Sequence, residues 1–216
     1  MTTFIDVEKK CACCGHEFTV HEIASTNSFG SCDLDTRPPE MSRSTTRYLV
    51  SYCENCGYAS YEIDEPCDYT IDQLKQIPDY SEILINDSIS QPGKAFLLTA
   101  VVFKLKGDYS SAGMTYLRAA WMFDDCMDFE MAKFARENAY EMLSAGLLYE
   151  ENINVELMIV DILRRACYFE KAIKNANRLL EQEEVINNEM FLKILKFQIK
   201  LCEQENIKCY RVADAM

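Results

Sequence analysis

Two short cysteine motifs constrain this sequence more than any other feature. The pattern C-x-x-C-G occurs at residues 11–15 and again at residues 53–57. Two residues between the cysteines permit a tight turn in which both sulfur atoms converge on one ion. The glycine that follows can adopt a positive φ at little steric cost. Together the two pairs predict one structural zinc ion bound by four thiolates, those of Cys11, Cys14, Cys53 and Cys56.

Other residues near the motifs leave alternatives open for the ligand set. Cys13 offers a second register for the first pair, but it does not reproduce the spacing of the second pair. The motif favours His16 and His21 as surface or neighbouring residues rather than ligands, and it assigns no role to Cys32. A site closed by four cysteines leaves no position for a reacting water, so no catalytic residue is predicted.

The first 65 residues have the character of a zinc-ribbon-like domain. Residues 17–21 and 48–52 are β-branched or alternate between apolar and polar side chains, and both are predicted to be short strands. The stretch between them is polar, contains Pro38-Pro39 and is predicted to be a long loop. Residues 66–93 carry several prolines and are predicted to be a connector with short helical turns near 71–77 and 80–87.

Residues 94–216 are predicted to form a TPR-like helical domain. Apolar side chains recur at helical spacing. One helix is expected from Lys94 to a break at Gly107-Asp108 and a second from Tyr109 through Phe123, with others near 128–149, 155–165, 169–183 and 188–204. Short turns between them favour antiparallel packing. Tyr109, Tyr116 and Trp121 are expected to be substantially buried. The predicted fold class is therefore α+β, mostly α: a small zinc ribbon followed by an antiparallel helical bundle.

The long loop concentrates charge and is a candidate ligand-binding loop. Its candidate residues are Asp35, Arg37, Glu40 and Arg43, because the two arginines can grip a carboxylate or phosphate. The favoured alternative is that these arginines pair with Asp33, Asp35 and Glu40 inside the loop. Asp124-Asp125 together with Glu130 could form a metal or substrate site, but the favoured interpretation is that the acidic pair is solvated or caps the next helix.

Composition restricts the compartment and the partners. The net charge of −13 disfavours nucleic acids and anionic membrane surfaces. No apolar run is long enough for a transmembrane helix, and the N-terminus lacks the pattern of a signal peptide. Eleven cysteines, an odd number, are expected to be reduced in a cytoplasmic protein.

Several motifs carry a resemblance to a known family. They are the two cysteine pairs, the segment Asp35-Thr-Arg37-Pro38-Pro39-Glu40-Met41-Ser-Arg43-Ser44-Thr45 and the run Ala119-Ala120-Trp121-Met-Phe-Asp124-Asp125. With them the chain resembles an uncharacterised bacterial family of unknown function, in which an N-terminal zinc ribbon precedes TPR-like helices. The resemblance extends to about Arg136. It implies the fold and the metal, but no activity.

Two functions compete at this point. The first is a cytoplasmic adaptor that binds a protein or peptide, preferably a basic one, because helical pairs form grooves and the chain is acidic. The alternative is an enzyme acting on a small anionic substrate held by Arg37 and Arg43. The sequence contains no motif for nucleotide binding or hydrolysis that would favour the enzyme.

Overall fold

The computed structural model describes all 216 residues, and it confirms the predicted class, α+β and mostly α. None of its helices combines the length and the hydropathy that a bilayer-spanning segment requires. The helices are α1 (Ser42–Thr45), α2 (Ile71–Lys75), α3 (Pro78–Ile85), α4 (Gln91–Leu105), α5 (Tyr109–Asp125), α6 (Phe129–Gly146), α7 (Ile153–Arg165), α8 (Phe169–Leu180), α9 (Glu183–Ile186) and α10 (Glu189–Glu203). Single turns of 3-10 helix cover Thr46–Tyr48 and Val212–Ala215.

Four strands form two separate antiparallel hairpins. Strand β1 (Thr3–Lys10) pairs with β2 (Glu17–Ser25), and β3 (Ser51–Tyr52) pairs with β4 (Ala59–Ser60). The strand predicted at 17–21 is confirmed within β2. Strand β1 was not predicted. Its apolar and polar side chains do not alternate at Phe4 and Ile5, and its pairing with β2 is irregular between Thr3 and Phe4.

The strand predicted over residues 48–52 is largely wrong. Only its last two residues are extended, and Thr46–Tyr48 form a 3-10 turn closed by a hydrogen bond from the Leu49 amide to the Thr46 carbonyl. Aromatic and β-branched residues favour a strand only where a partner strand is available. Here β4 offers partners to two residues and no more.

The six long helices agree with the predicted pattern within a few residues at each end. Neighbours in sequence pack against each other from α4 to α8, and α10 packs on α7 and α8. Small residues allow α5 and α6 to pack closely. A Cβ atom added to Gly113 would lie 2.5 Å from Cγ of Leu143, so only glycine fits there. Tyr116 and Trp121 are buried as predicted, whereas Tyr109 is only half-buried.

One hydrophobic core runs through the helices and into both hairpins. It includes Cys53, Tyr58 and Ile63 together with the apolar faces of the long helices. The C-terminal tail also returns to the first half of the chain. The amide of Leu34 donates to the carbonyl of Tyr210, and the amide of Val212 donates to that of Cys32. The boundaries 1–65, 66–93 and 94–216 therefore remain a prediction, with contacts across them.

Candidate metal centre

The first cysteine turn, residues 11–16, is the connection of the β1–β2 hairpin. Its ends are held by a hydrogen bond from the Cys11 amide to the His16 carbonyl, 2.9 Å. Inside it, the Gly15 amide donates to the Cys11 carbonyl at 2.8 Å, and Gly15 has φ of +72°. An L-residue with a side chain rarely adopts this φ, so the sequence places glycine where the turn reverses.

The second cysteine turn, residues 53–58, repeats this geometry between β3 and β4. The Cys53 amide donates to the Tyr58 carbonyl and the Gly57 amide to the Cys53 carbonyl, both at 2.8 Å, with φ of +86° at Gly57. Helix α3 supports this turn from behind. The hydroxyl of the fully buried Tyr80 donates to the Gly57 carbonyl at 3.0 Å.

The two turns bring four thiols to one point. The ligand atoms of Cys11, Cys14, Cys53 and Cys56 all lie within 4.8 Å of one another. Sγ of Cys11 is 3.7 Å from Sγ of Cys56, and Sγ of Cys14 is 3.6 Å from Sγ of Cys53. Zinc–sulfur bonds of about 2.3 Å in a tetrahedron place the sulfur atoms about 3.8 Å apart. The spacing suits a shared ion, and it is far too long for a disulfide.

Backbone and side-chain donors surround the sulfur atoms. Burial opposes ionisation of Cys14, but hydrogen bonds from the Asn55 side chain, 3.4 Å away, and from the His16 backbone lower the pKa of its thiol to about 6. Burial raises the pKa of Cys11 and of Cys56. Four thiolates so close together require a cation, and a metal ion held by these cysteines would supply the charge that deprotonates them. Asn55 was not predicted, although it lies inside the second motif.

The alternative ligands lie outside this cluster. His16 is exposed and stacks on Phe18, while His21 pairs with Asp6 on the neighbouring strand. Cys13 is not part of the cluster, and its Sγ donates to the Tyr69 carbonyl at 3.7 Å. Burial raises the pKa of Cys13 to about 12, as expected for a thiol that packs as a small apolar group.

The candidate ligand-binding loop is held to the helices by ion pairs. Nη2 of Arg37 donates to both carboxylate oxygens of Asp125, at 2.8 and 2.7 Å, and Arg37 is only 4% exposed. Arg43 pairs with Asp33 inside the loop, as the favoured alternative predicted. That alternative is wrong for Arg37, whose partner lies in α5. The predicted pairing of Glu40 with an arginine is also wrong, because the Glu40 carboxylate accepts a hydrogen bond from the Ser44 hydroxyl.

Asp35 and Asp124 complete this group of charges. Asp35 is fully buried and accepts hydrogen bonds from Nε1 of Trp121 at 2.9 Å and from Arg165 at 3.0 Å. Asp124 accepts from Arg165 and Arg136. We refer to the whole set as the loop–helix ion cluster: Asp35, Arg37, Asp124, Asp125, Arg136 and Arg165. Its three carboxylates balance its three guanidinium groups.

The cap interpretation of Asp124-Asp125 is therefore wrong. Helix α6 is capped by Asp128, whose carboxylate accepts from the Met131 amide at 3.1 Å. Asp125 instead pairs with Arg37 of the loop, and Asp124 pairs with Arg136 of α6 and Arg165 of α7. Arg165 was not singled out in the sequence, because a basic residue in the last turn of a helix is common and favourable in itself.

Comparison with protein families adds one result. The profile described as "Uncharacterized protein conserved in bacteria (DUF2225)" matches residues 4–202, which is most of the chain. The chain belongs to DUF2225. No curated protein and no solved structure shows significant similarity to it.

In this DUF2225 protein, the two motifs beyond the cysteines that carried the resemblance meet in space. Asp35 and Arg37 come from the first motif, and they bind Trp121 and Asp125 of the second. Arg37 and Asp125 are 88 positions apart in the chain. These motif residues therefore fasten the loop to α5, and the arginine that seemed suited to a ligand is already engaged.

Proposed function

We propose that the four cysteines bind one structural zinc ion. The observation that carries the proposal is the set of four sulfur atoms, spaced for a tetrahedron and supplied by two turns of the same geometry. Four thiolates suit zinc or iron and fill every position of a tetrahedral ion. A closed site leaves no room for a reacting water, so the ion organises the two hairpins as in a zinc ribbon.

Metal analysis of the purified chain tests this proposal. We expect one equivalent of zinc and no iron in the natural protein, and clearly less zinc in a Cys53→Ser variant. Cys126→Ser is the matched control, because Cys126 is exposed and lies outside the cluster. Iron in place of zinc, or zinc that is retained in Cys53→Ser and lost in Cys126→Ser, would contradict the proposal.

We also propose that the helical half is a TPR-like scaffold that binds a protein or peptide with a basic surface. Small residues at the helix contacts support the TPR-like description. Three large apolar side chains stay exposed near the start of α6, namely Met127 at 75%, Phe129 at 67% and Phe134 at 42%. Exposed aromatic groups often mark interaction sites. The net charge of −13 favours a basic partner by electrostatic steering.

Affinity capture with matched variants tests the scaffold. We expect one set of partners to be lost when Phe129 and Phe134 are both changed to serine. The same partners should be retained when Ile186 and Met190, which are exposed on another part of the molecule, are changed instead. Capture should also weaken as salt is raised. If all variants capture the same proteins, this surface of α6 has no such role.

The structure does not support the alternative function, an enzyme that acts on a small anionic substrate. It required Arg37 and Arg43 to be available to a small anion, and both guanidinium groups have carboxylate partners, Asp125 and Asp33. Releasing the largely buried Arg37 from its partner would leave a charge uncompensated, which costs several kcal/mol, about 3–5 in comparable buried pairs.

A further inference from the structure

A cavity of about 370 Å³ lies between strand β2 and the segment that leads into the second cysteine turn. Its size is within the usual range for small-molecule sites. Both histidines of the chain line it, although nothing in the sequence connects them with one another. Its other chemically distinctive lining residues are Phe18, Arg47, Tyr48, Tyr52 and Glu54. A second cavity of about 220 Å³ adjoins it and shares Arg47, Tyr48 and Tyr52.

Arg47 is the unusual member of this lining. The chain has nine arginines, and eight of them donate to a carboxylate, a hydroxyl or a backbone carbonyl. Arg47 has no such partner, in a protein that carries an excess of thirteen negative charges. The chain therefore supplies acidic groups in abundance, and none of them is placed against this guanidinium. Arg47 is exposed, so its guanidinium group is accessible from solvent where it lines the cavity, and an arginine without a carboxylate partner is suited to bind an oxyanion in a bidentate manner.

The remaining lining suits a planar group beside that oxyanion. Tyr48 and Tyr52 line both cavities, and Phe18 adds a third ring to the larger one. His16 stacks on Phe18 with 5.9 Å between the ring centroids. The imidazole groups and phenols can also donate hydrogen bonds to a ligand. Glu54, the one carboxylate in the lining, accepts a hydrogen bond from Gln91 at 3.4 Å.

We propose that this cavity binds a small molecule that carries an oxyanion, held by Arg47, and a planar ring, packed among Phe18, Tyr48 and Tyr52. The shared chemistry is a carboxylate or a phosphate attached to an aromatic group. The site is distinct from the loop that the sequence suggested, because Arg37 and Arg43 have partners and Arg47 does not. It is also independent of the scaffold surface on α6.

Histidine NMR offers a selective measurement. The chain has only two histidines and both line the cavity, so every imidazole signal reports on this site. Benzoate, phenyl phosphate and inorganic phosphate are titrated separately at constant pH and ionic strength. We expect saturable shifts of both imidazoles with benzoate or phenyl phosphate, and the tighter of the two identifies the oxyanion. Inorganic phosphate should bind more weakly than phenyl phosphate.

Arg47→Gln is the decisive variant. We expect it to weaken binding at least about tenfold, as the loss of a charged hydrogen-bonded pair implies. Arg178→Gln is the matched control, because Arg178 is half-exposed and pairs with Glu156 in the helical half. It should bind like the natural protein. Circular dichroism and metal content, unchanged in both variants, show that the fold is intact.

Three results would overturn the proposal. The first is the absence of saturable shifts with both ring-bearing probes up to about 10 mM, a weak affinity for any specific site. The second is equal binding by Arg47→Gln and the natural protein. The third is equal binding of inorganic phosphate and phenyl phosphate, which would show that the rings do not take part.

Discussion

Left-handed backbone conformations end four of the helices in this protein. The residues are Gly107, Met127, Cys167 and Glu205, with φ of +75°, +59°, +68° and +50°. After each of them the chain makes the same hydrogen bond back to the helix, as from the Asp108 amide to the Phe103 carbonyl. Only the first position is occupied by glycine, the residue that adopts this conformation without steric cost. The other three carry conformational strain, which substitutions can measure.

A pair of substitutions at these helix ends tests the strain. Met127→Gly should raise the free energy of unfolding by about 0.5–1 kcal/mol, because it removes a strained φ and an exposed side chain that packs little. Gly107→Ala should lower it by about 1 kcal/mol, since the space around Gly107 is open and only the backbone opposes a side chain. Urea denaturation measures both. Changes of the same sign would show that side-chain packing outweighs backbone strain here.

The glycines of the two cysteine turns allow a second comparison. The Cβ atom of alanine at Gly15 would make an ordinary contact with Cε of Lys10 at 3.7 Å. At Gly57 the same atom would lie only 2.3 Å from Cδ1 of Leu84. Both have positive φ, so both variants should weaken the metal site. Gly57→Ala should cost about 1 kcal/mol more, because the Leu84 side chain of α3 must also change its conformation. Competition with a chelator measures the metal affinity of each. Equal losses would show that the contact with α3 does not support the second turn.

At the scale of elements, the long loop depends on α5 and α7 for its conformation. Asp35 is completely buried, and its partners Trp121 and Arg165 come from these two helices. A buried carboxylate is tolerated only when hydrogen bonds and opposite charges surround it. The loop–helix ion cluster therefore fixes the loop in one position through interactions that do not involve the metal.

A double-mutant cycle tests the coupling of loop and helix. Asp35→Asn should destabilise the fold by about 2–4 kcal/mol, because Arg165 loses one of its two carboxylate partners. Trp121→Phe removes the indole donor and should cost about 1–2 kcal/mol. The combined variant should lose less than the sum, with a coupling energy of about 1 kcal/mol. Denaturation followed by circular dichroism provides the values. Strict additivity would mean that the indole–carboxylate hydrogen bond contributes nothing.

Acid should weaken the same cluster. Burial alone would raise the pKa of Asp124, but Arg165 and Arg136 outweigh it and hold the pKa below its ordinary value. The unfolded chain therefore takes up this proton at a higher pH than the folded one. The stabilisation is present above about pH 4 and is lost as the pH falls through the lowered pKa.

Asp124→Asn tests this pH dependence. It should cost about 3 kcal/mol at neutral pH, since it leaves two guanidinium groups short of a partner, and the variant should lose less stability than the natural protein below pH 4. Glu189→Gln is the control: its carboxylate also has a lowered pKa, from Lys193, but the pair is exposed and screened. Denaturation across the acid range gives both curves. Parallel curves for Asp124→Asn and the natural protein would contradict the assignment.

For the whole molecule, the continuous core determines what loss of the metal would do. Strands β1 and β2 contain no buried residue, so we expect the metal-binding free energy, on the order of 10 kcal/mol in small zinc domains, to hold the hairpins together. Most side chains of the shared core belong to the long helices, and the loop is fastened by the ion cluster. Metal loss should therefore loosen β1 and β2 most, while the helices persist.

Cys53→Ser with limited proteolysis checks this order. We expect early cleavage in the β1–β2 hairpin, protection of the loop around Arg37 and retention of most of the helical circular dichroism. Cys126→Ser should behave like the natural protein. Cooperative unfolding of the whole chain would mean that residues 1–65 and 94–216 do not form separate domains. A metal-free hairpin that resists protease would mean that the ion is not structural.

The sequence by itself determined the features that depend on near neighbours in the chain. Each cysteine turn closes its hydrogen bonds within six residues, so the C-x-x-C-G pattern is enough to predict it. The long helices follow from apolar spacing over a few turns. The same reasoning failed at residues 48–52, because strand formation depends on a partner that the local pattern does not contain.

Tertiary structure alone decided which charged groups are paired. Arg37, Arg43 and Arg47 occupy one short segment, and the sequence analysis singled out only Arg37 and Arg43 as candidates for binding an anion. The fold gave Arg37 a partner 88 residues away and Arg43 one within the loop, and it left Arg47 beside a cavity. Pairing depends on distances of about 3 Å between side chains that are remote in the chain. Neither spacing nor composition contains those distances, so only the packed structure could separate the three arginines.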